Sequence, residues 1–520
     1  MKLKRTFVFT SLILSGVALL SLSTILEGCK SKTNAPYKLT GNVIADGEHL
    51  VKIHCTKCHS LVPAEALTKD VWRMHTMPSM AHYFGIGTYG QSFYKQTGKE
   101  TADTTLMTIV EWQAMVDYYQ KIAPDTLTPA KKPSPLLNDW AGFTLKRSAA
   151  TNDIAFTTMV AANPSTGNIY TSELVSNTLT EWDSQLKVKT VTSLPSAAVH
   201  ANFIKDANGA DKAMLSCIGR IDPVDFASGK IYSANLTGKL STDEVAIDLP
   251  RPVQTLSADF DKDGKNELIV LGQGFTKGGV YMVKLGANGK AEKQFTVTDR
   301  PGAVQAVAQD FNKDGYPDLM VLFGIADEGL SLFLNDKKGG FKSRELLHFP
   351  PVNGSTSFQL EDIDHDGNPD LIYTCGYNFR DSRILKPYHG LYIYKNTGDF
   401  NFKQSWFYPI NGATKAIAAD FDKDGDLDIA TIAFFADMKN NPAEEFIYFE
   451  QTKAMEFKAH AVPVSKYGRW MNMDVSDINK DGKPDIILGN YASGFLFQPN
   501  FSPNWDEHQP FIVLQNGINK

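Results

Sequence analysis

Residues 420–434 read DFDKDGDLDIATIAF, and this pattern of acids, a glycine and a β-rich run decides the fold. The pattern recurs in four other segments: DFDKDGKNELIVLGQG (259–274), DFNKDGYPDLMVLFG (310–324), DIDHDGNPDLIYTCG (362–376) and DINKDGKPDIILGN (477–490). The glycines inside successive copies are 51, 52, 58 and 57 residues apart. Such self-similarity is the sequence signature of a repeat architecture.

Two weaker copies, around Gly167 and Gly209, precede the five clear ones. The seven units share about 380 residues, or about 54 each, which is close to the size of a four-stranded propeller blade. Between the copies, short apolar and aromatic runs alternate with turns of glycine, asparagine and aspartate. Parallel β-helices also repeat, but their periods are much shorter. The sequence therefore predicts an all-β seven-bladed propeller over residues 140–520.

The acidic half of each clear copy follows the pattern Asp-x-Asp/Asn-x-Asp-Gly-x-x-Asp/Glu. Carboxylates at positions 1, 3 and 5 of a tight turn converge on one point, and a hard cation of calcium size prefers such oxygen ligands. The spacing begins like an EF-hand, which also needs a bidentate Glu at position 12. Position 12 is not acidic in any copy, which excludes the EF-hand; its residues are Val270, Val321, Tyr373, Thr431 and Leu488.

About five Ca²⁺ ions are therefore predicted, one in each clear copy. A plain Asp-Gly turn is the alternative, but converging carboxylates without a counter-ion repel one another. The weaker copies lack most of the acids and are predicted to be metal-free turns. The predicted ligands are Asp259, Asp261, Asp263 and Glu267; Asp310, Asn312, Asp314 and Asp318; Asp362, Asp364, Asp366 and Asp370; Asp420, Asp422, Asp424 and Asp428; and Asp477, Asn479, Asp481 and Asp485.

These repeats, with the ninth-position acid intact in every clear copy, resemble the FG-GAP or VCBS repeats of calcium-binding propellers such as integrin heads. The resemblance covers about residues 150–520. It implies a propeller in which each acidic loop joins the innermost strand of a blade to the second strand. The other face of the propeller then carries the segments that precede the innermost strands.

A second motif, Cys55-Thr56-Lys57-Cys58-His59, precedes the repeats. In an exported protein, Cys-x-x-Cys-His is a haem c attachment site, in which both thiols bind the haem and the histidine binds the iron. A redox dithiol needs a βαβ setting and a zinc site needs a second pair of ligands, and neither is nearby in the sequence. The motif therefore predicts one covalent haem held by Cys55, Cys58 and the proximal ligand His59.

The sixth iron ligand is expected in residues 72–86. A methionine there raises the reduction potential and a second histidine lowers it. Residues 46–123 resemble a monohaem class I cytochrome c domain, in which a methionine follows the attachment site in a loop rich in proline and glycine. Met80, just after Pro78, fits this pattern best, with Met77 next. The remaining candidates in the segment are Met74, His75 and His82.

The N-terminus resembles a bacterial lipoprotein signal. A basic start is followed by the uncharged apolar stretch 7–22 and by Gly28-Cys29. This predicts a signal peptide over 1–28, a lipid anchor on Cys29, a linker over 29–45 and a place in the cell envelope, facing the periplasm or the cell surface. A plain secretory signal and an uncleaved anchor helix are the alternatives. Residues 124–139, with four prolines, are predicted to be a semi-rigid linker.

The function prediction depends on the face opposite the acidic loops. Basic residues precede several innermost strands, and Arg251, Arg300, Lys415 and Arg469 are the predicted ligand face. Insertions at 377–387 and 434–445 lie on the same side. The alternative is that these side chains form a solvated rim or bond between blades. Cys217 and Cys375 belong to the second and fifth units and are predicted to be free thiols.

Two function classes fit the whole chain, which resembles exported cytochromes that carry FG-GAP or VCBS repeats. The first is an electron-transfer protein whose propeller binds a redox partner protein or a small ligand. The second is an oxidoreductase with its substrate on the propeller and the haem as electron acceptor. No catalytic set is recognisable in the sequence, so electron transfer is favoured. The net charge of −6, without a long basic run, excludes nucleic acid as a partner.

Overall fold

The structure is a computed structural model that describes residues 37–87, 106–206, 208–222, 225–378, 384–494, 498 and 500–518. The predicted signal peptide, Cys29 and residues 379–383 of the insertion at 377–387 lie outside these residues. Within the described ranges, no helix is both long enough and apolar enough to cross a membrane.

The N-terminal region is helical. At the start of its two long helices, a side chain caps the backbone N–H groups of the first turn. Asn42 accepts hydrogen bonds from the first turn of α1 (Val43–His54), and Thr108 with Glu111 forms a capping box at α4 (Ile109–Ile122). Between them lies a continuous helical stretch. Its segments are α2 (Lys69–Val71), a π-helix (Trp72–Thr76), α3 (Met77–Ala81) and a 3₁₀ turn (His82–Phe84); further 3₁₀ turns are Cys55–Lys57 and Ala64–Ala66.

Two short strands, β1 (Leu136–Asn138) and β2 (Phe143–Arg147), follow the helices. The next twenty-four strands form six blades in chain order. Blade 1 has β3 (Thr157–Ala162), β4 (Ile169–Glu173), β5 (Thr178–Trp182) and β6 (Val188–Ser193). Blade 2 has β7 (Ala198–Lys205), β8 (Asp211–Cys217), β9 (Gly229–Asn235) and β10 (Ser241–Leu249). Blade 3 has β11 (Pro252–Ala258), β12 (Glu267–Gly272), β13 (Gly279–Leu285) and β14 (Ala291–Thr298).

Blade 4 has β15 (Ala303–Gln309), β16 (Asp318–Phe323), β17 (Glu328–Asn335) and β18 (Phe341–Phe349). Blade 5 has β19 (Ser355–Glu361), β20 (Asp370–Cys375), β21 (Gly390–Asn396) and β22 (Phe402–Pro409). Blade 6 has β23 (Lys415–Ala419), β24 (Asp428–Ile432), β25 (Phe446–Lys453) and β26 (Glu456–Ala461), with a 3₁₀ turn (Pro442–Glu445) before β25. Blade 7 has β27 (Trp470–Ser476), β28 (Asp485–Asn490) and β29 (Phe511–Asn516).

The ring closes because strands from the two ends of the propeller share a sheet. Strand β2 pairs antiparallel with β29 and becomes the outermost strand of blade 7. Strand β1 pairs parallel with β26 as a fifth strand of blade 6. The innermost strands contact one another around the ring, from β3 through β7 to β27 and back to β3. The predicted seven-bladed propeller is confirmed.

The second strand of each blade with an acidic loop is a continuous apolar run in the sequence, and its burial explains why. Every residue of β12, β16, β20, β24 and β28 is buried, because both faces of each blade pack against a neighbouring blade. A strand buried on both faces is a continuous apolar run rather than an alternating one. Outer strands such as β14 are mostly exposed. The apolar core is therefore a series of clusters that fill the spaces between blades.

The end of the proline-rich segment is attached to the propeller. Strand β1 starts at Leu136, so the sheet begins inside the segment predicted as linker 124–139. Lys132 also forms an ion pair of 2.5 Å with the buried Glu444, and Tyr408 donates a hydrogen bond to the carbonyl of Ser134. The part of the predicted linker that can act as a spacer is therefore shorter than the sequence suggests.

The helical region lies against the face of the propeller opposite the acidic loops. The Ser60 hydroxyl donates a hydrogen bond of 2.8 Å to the carbonyl of Phe349, and the Tyr388 hydroxyl donates one of 3.0 Å to the carbonyl of Ala66. Val352 and Ile384 pack against the apolar core of the helices. These propeller residues belong to the end of β18, to the connection before β19 and to the β20–β21 connection, so the helices lie over blades 4 and 5.

Candidate functional sites

The acidic loops join the innermost strand of a blade to its second strand, and their turn depends on the first aspartate. In the first copy, Asp259 accepts hydrogen bonds from the N–H groups of Asp263 (3.1 Å) and Gly264 (3.0 Å). The same pair of bonds holds the loops that begin at Asp310, Asp362 and Asp477. The glycine has a positive φ in all five loops, for example +86° at Gly264, which favours glycine at that position.

The acid at the ninth position is buried and bonds to backbone elsewhere in its own blade. Asp318 accepts a hydrogen bond of 2.7 Å from the N–H of Asn335, and Asp485 accepts one of 2.8 Å from Asn516. Both donors lie at the end of the third strand of the blade. Burial raises the pKa of Asp370 and of Asp485 to about 6. In four of the five copies the ninth-position acid thus ties the loop to the third strand, whereas Glu267 accepts from the N–H of Phe260 in its own loop; the repeat alone did not reveal this role.

Three of the five loops bring carboxylates close together. Ligand-type oxygens lie within 4.8 Å of one another in three groups: Asp259, Asp261 and Asp263; Asp362, Asp364 and Asp370; and Asp420, Asp422 and Asp424. Among the described residues, Asp364 Oδ1, Asp370 Oδ2 and Asp420 Oδ1 are buried oxygens without a hydrogen-bond partner. Unbonded buried carboxylate oxygens are costly unless a cation binds them, so these loops suit a cation with oxygen ligands.

The other two loops have an asparagine at the third position, and its amide bonds to the next acid. Asn312 Nδ2 donates to Asp314 at 3.0 Å, and Asn479 Nδ2 donates to Asp481 at 2.9 Å. Neither loop forms a group of three acids within the described residues. The sequence motif predicted five equivalent loops, but the structure divides them into two geometric types.

Lysines act as counter-ions in several loops, contrary to the expectation of unscreened acids. Lys284 and Lys395, each one residue before the end of a third strand, pair with Asp261 and Asp364 respectively. Lys337 lies 3.2 Å from Asp314. Spacing along the chain does not reveal these pairs, because each lysine follows its loop at a different distance. An ammonium group and a calcium ion would compete for the same carboxylates.

The Cys-x-x-Cys-His motif directly follows α1. Cys55 begins a 3₁₀ turn and packs partly against the helical core, while Cys58 is exposed, and both are free thiols. His59 Nδ1 lies 2.7 Å from the carbonyl of Ser60. A carbonyl can only accept, so Nδ1 carries the proton in this contact and Nε2 keeps its lone pair. That is the tautomer that binds a metal through Nε2.

The candidates for the sixth ligand lie on the helical stretch rather than in a loop. Pro78 is in the first turn of α3, and Met80 is half-buried against the helical core. Met77 is buried, whereas Met74 is 64% exposed. The expected proline- and glycine-rich loop is absent at this point because α2, the π-helix and α3 run on without a break. Trp72 stacks on Tyr119 at 3.7 Å and donates to the carbonyl of Ala64, which gives it a packing role within the helices.

The four residues of the predicted ligand face are all hydrogen-bonded within the propeller. Arg251 donates to the carbonyl of Ile221 and to the side chain of Gln273. Arg469 is fully buried, donates to the carbonyls of Phe434 and Gly494, and stacks over the Phe434 ring at 3.9 Å.

Arg300 donates to the carbonyl of Asp327 and lies 4.2 Å over the Phe323 ring. Lys415 donates to the carbonyl of Met473 at 2.8 Å. The four side chains thus bridge segments of the propeller, and they belong to blades 3, 4, 6 and 7 rather than to one exposed patch.

Cys217 and Cys375 are buried free thiols, as the sequence predicts. They lie at the ends of β8 and β20, in blades 2 and 5. Burial raises the pKa of both thiols to about 12, so neither is a reactive thiolate at neutral pH.

Three segments of the propeller, residues 259–321, 310–373 and 384–431, match the FG-GAP-like repeat family. The predicted FG-GAP repeats are thereby confirmed for these segments. No curated protein matches the chain in sequence.

Several solved structures are similar in part. Virginiamycin B lyase from Staphylococcus aureus has 10% identity and a TM-score of 0.46, over 72% of this chain and 99% of the lyase. The Pan2 WD40 domain of Neurospora crassa has 10% identity and a TM-score of 0.45, over 74% and 100%. Sqt1 of Saccharomyces cerevisiae has 9% identity and a TM-score of 0.42, over 72% and 100%.

Proposed function

We propose that this chain is a membrane-anchored c-type cytochrome that mediates electron transfer and whose propeller binds a partner or a ligand. The observation that carries the proposal is the geometry of Cys55, Cys58 and His59. Both thiols are free, and the Nδ1 contact to the Ser60 carbonyl leaves Nε2 of His59 available to a metal. The residues present therefore fit a covalently attached haem.

Cys55 and Cys58 would attach the haem, and His59 and Met80 would bind its iron, with Met77 as the second candidate in place of Met80. When bound, the haem supplies one-electron redox chemistry, and a methionine ligand favours a higher potential than a histidine ligand. The apolar core that Cys55 and Met80 join contains Leu50, Met77 and Trp112. Apolar surroundings exclude water, and the exclusion of water also tunes the reduction potential of a bound haem.

The place of the helical region on the propeller supports a role for both parts in one function. Ser60, the residue after His59, is bonded to Phe349 of the propeller. The motif is therefore held next to blades 4 and 5, and the surface that a redox partner meets would include propeller residues. A free, tethered cytochrome domain would not have such a contact.

We further propose that Ca²⁺ binds the acidic loops and stabilises the blades. The three groups of carboxylates and the unbonded oxygens of Asp364, Asp370 and Asp420 support this role. Lysines are competitors in two of these groups, since Lys284 pairs with Asp261 and Lys395 pairs with Asp364. Binding should therefore differ from loop to loop. The cation would screen acids that otherwise repel one another at the edge of each blade.

The decisive experiment is the pyridine haemochrome spectrum of the full-length protein, expressed in a host that attaches haem c. We expect a c-type spectrum with one haem per chain, and an intact mass higher by one haem. The variant Cys55→Ala/Cys58→Ala should lose the covalent haem but retain the propeller. The matched control is Cys217→Ala, which changes a buried thiol in blade 2 and should leave the haem in place. Wild-type protein without covalent haem would contradict the proposal.

A further inference from the structure

The central channel carries one equivalent position on each innermost strand. In six blades this position is the first residue after a β-bulge near the start of the strand, and in blade 6 it is the first residue of β23. We call these seven residues the channel ring. They are Met159, His200, Gln254, Gln305, Ser357, Lys415 and Asn472. Six of the seven are polar.

Most of the channel ring joins one blade to the next. The Gln254 amide donates to the carbonyl of Ala306 and accepts from its N–H, at 3.2 and 2.6 Å. Gln305 makes the same two bonds to Phe358, at 2.8 and 3.1 Å. These side chains satisfy backbone groups that the innermost strand, as a sheet edge, leaves unpaired.

The other three bonded residues of the channel ring each make one hydrogen bond to the backbone of the next blade. Asn472 donates to the carbonyl of Thr157 at 2.8 Å, Ser357 accepts from the N–H of Ala416 at 3.3 Å, and Lys415 donates to the carbonyl of Met473. Two residues further along the strands, Gln359 and Asp474 bond to the next blade as well. Polar side chains at these two levels are thus structural in blades 3 to 7.

Blade 2 departs from this pattern. His200 Nδ1 and Asn202 Oδ1 are buried atoms that have no hydrogen-bond partner among the described residues; Asn472 Oδ1 in blade 7 is unbonded as well, although the amide nitrogen of Asn472 bonds to Thr157. The two residues are separated by one position on β7, so their side chains point to the same side of the strand. Both side chains remain partly accessible, which shows that the channel is open at this level. Buried polar groups are normally bonded, so these two call for a ligand or for water.

The charges at this level nearly balance. Burial, and secondarily the charge of Lys415, lower the pKa of His200 to about 4, so the imidazole is neutral at pH 7. In the ring, blades 1 and 7 separate blades 2 and 6 on one side and blades 3 to 5 separate them on the other, so blades 2 and 6 face each other across the channel. The charge of Asp474 acts on Lys415 in turn. The neutral side chains of His200 and Asn202 therefore face the ammonium group of Lys415 and the carboxylate of Asp474.

We infer that the blade 2 wall of the channel, formed by His200 and Asn202, binds a small neutral polyhydroxy compound. A hydroxyl can donate to Asn202 Oδ1, and a neighbouring hydroxyl can donate to or accept from the His200 imidazole. The balanced charge of Lys415 and Asp474 disfavours a ligand with net charge. The inference rests on the proposed ligand-binding role of the propeller but not on the haem.

The test is calorimetric titration of the full-length protein with sorbitol and glucose, and with gluconate and choline as charged counterparts of similar size. We expect saturable binding of a neutral polyol, and a change in the ring ¹⁵N shifts of His200, assigned by their loss in His200→Gln. Asn202→Ala should weaken binding at least tenfold. The control Gln294→Ala removes an amide from the exposed face of β14 and should bind like the wild type.

The thermal unfolding midpoint of each variant shows whether its fold is intact, and Asn202→Ser replaces Asn202→Ala if that variant unfolds. No saturable binding of either polyol would mean that the channel holds water only and would overturn the inference. Preferential binding of gluconate or choline, or unchanged binding by Asn202→Ala, would overturn it too. Polyol binding by a protein without haem would refute the proposed electron transfer and leave this inference standing.

Discussion

The hydroxyl of Ser60 donates a hydrogen bond of 2.8 Å to the carbonyl of Phe349, and this bond joins the region of the Cys-x-x-Cys-His motif to the propeller. Ser60 directly follows His59, and Phe349 is the last residue of β18. A contact one residue from the predicted iron ligand limits how far the helical region can move. The helices and the propeller are therefore expected to act as one body, not as two domains on a flexible linker.

Breaking this contact should release the helices. We expect Ser60→Ala/Tyr388→Phe to speed cleavage within residues 124–131, because the variant loses the two described hydrogen bonds between the helices and the propeller, each worth about 1 kcal/mol, and the helices can then move about this segment. The measurement is the rate of limited proteolysis in this segment. The control Ser405→Ala loses a hydroxyl that bonds within blade 5 and should be cleaved like the wild type. Equal cleavage of all three proteins would show that docking does not depend on these bonds.

Replacement of the predicted sixth ligand should change the haem spectrum. Met80→Ala should abolish the weak near-infrared band of ferric haem with a methionine ligand, while the covalent haem stays attached, because Cys55 and Cys58 are unchanged. Met74→Ala is the matched control, since Met74 is 64% exposed on the same helical stretch. If Met77→Ala loses the band and Met80→Ala keeps it, Met77 is the ligand and the Met80 assignment is wrong.

Calcium binding should depend on the lysines that lie among the acids. Lys284→Met removes a cation paired with Asp261, so the first acidic loop should bind Ca²⁺ several-fold more tightly. Calorimetry of the calcium-free protein measures this affinity. Lys290→Met, which removes an exposed lysine from the same blade, should leave it unchanged. Weaker calcium binding by Lys284→Met would show that the lysine supports the loop instead of competing for it.

Removal of Ca²⁺ should destabilise the propeller more than the helices. A chelator should lower the thermal midpoint of the β-sheet signal, because the carboxylate groups at Asp259, Asp362 and Asp420 then repel with less screening. The haem absorbance reports on the helical region in the same experiment. Identical melting of the propeller with and without free calcium would contradict the proposed role of the metal.

The five acidic turns and the two weaker copies around Gly167 and Gly209 were together sufficient to predict seven blades, because each copy precedes the second strand of a blade. The sequence did not reveal that β2 completes blade 7, since pairing of the two ends of the propeller leaves no local pattern. It also did not separate two roles of aspartate. Asp259 shapes a local turn that every copy of the motif can form. Asp318 instead bonds to the third strand of its blade, which follows the loop at a distance that varies from copy to copy. The sequence did not reveal the lysine counter-ions, and it left the bonding of Arg469 as one of several alternatives, because both depend on contacts between distant segments.

A buried glutamate beneath the docked helices should make stability depend on pH. Glu328 is almost fully buried and accepts hydrogen bonds from the N–H groups of Gly354 (3.1 Å) and Ser355 (2.8 Å), in the connection that carries Val352 to the helices. Burial raises its pKa from 4.5 to about 7, although these bonds and the charge of Lys386 oppose the rise. Between pH 4.5 and 7 the folded protein therefore holds a proton that the unfolded chain has released, so stability falls as the pH rises through this window.

Glu328→Gln should remove that dependence, because glutamine has no proton to lose. The difference in unfolding free energy between pH 5 and pH 8 should shrink by on the order of 2 kcal/mol relative to the wild type. Denaturant unfolding at both pH values measures this difference. Glu292→Gln, on the exposed strand β14, should retain the wild-type dependence. An unchanged pH dependence in a folded Glu328→Gln protein would mean that Glu328 stays ionised throughout the window, held there by its bonds to the connection beneath the helices.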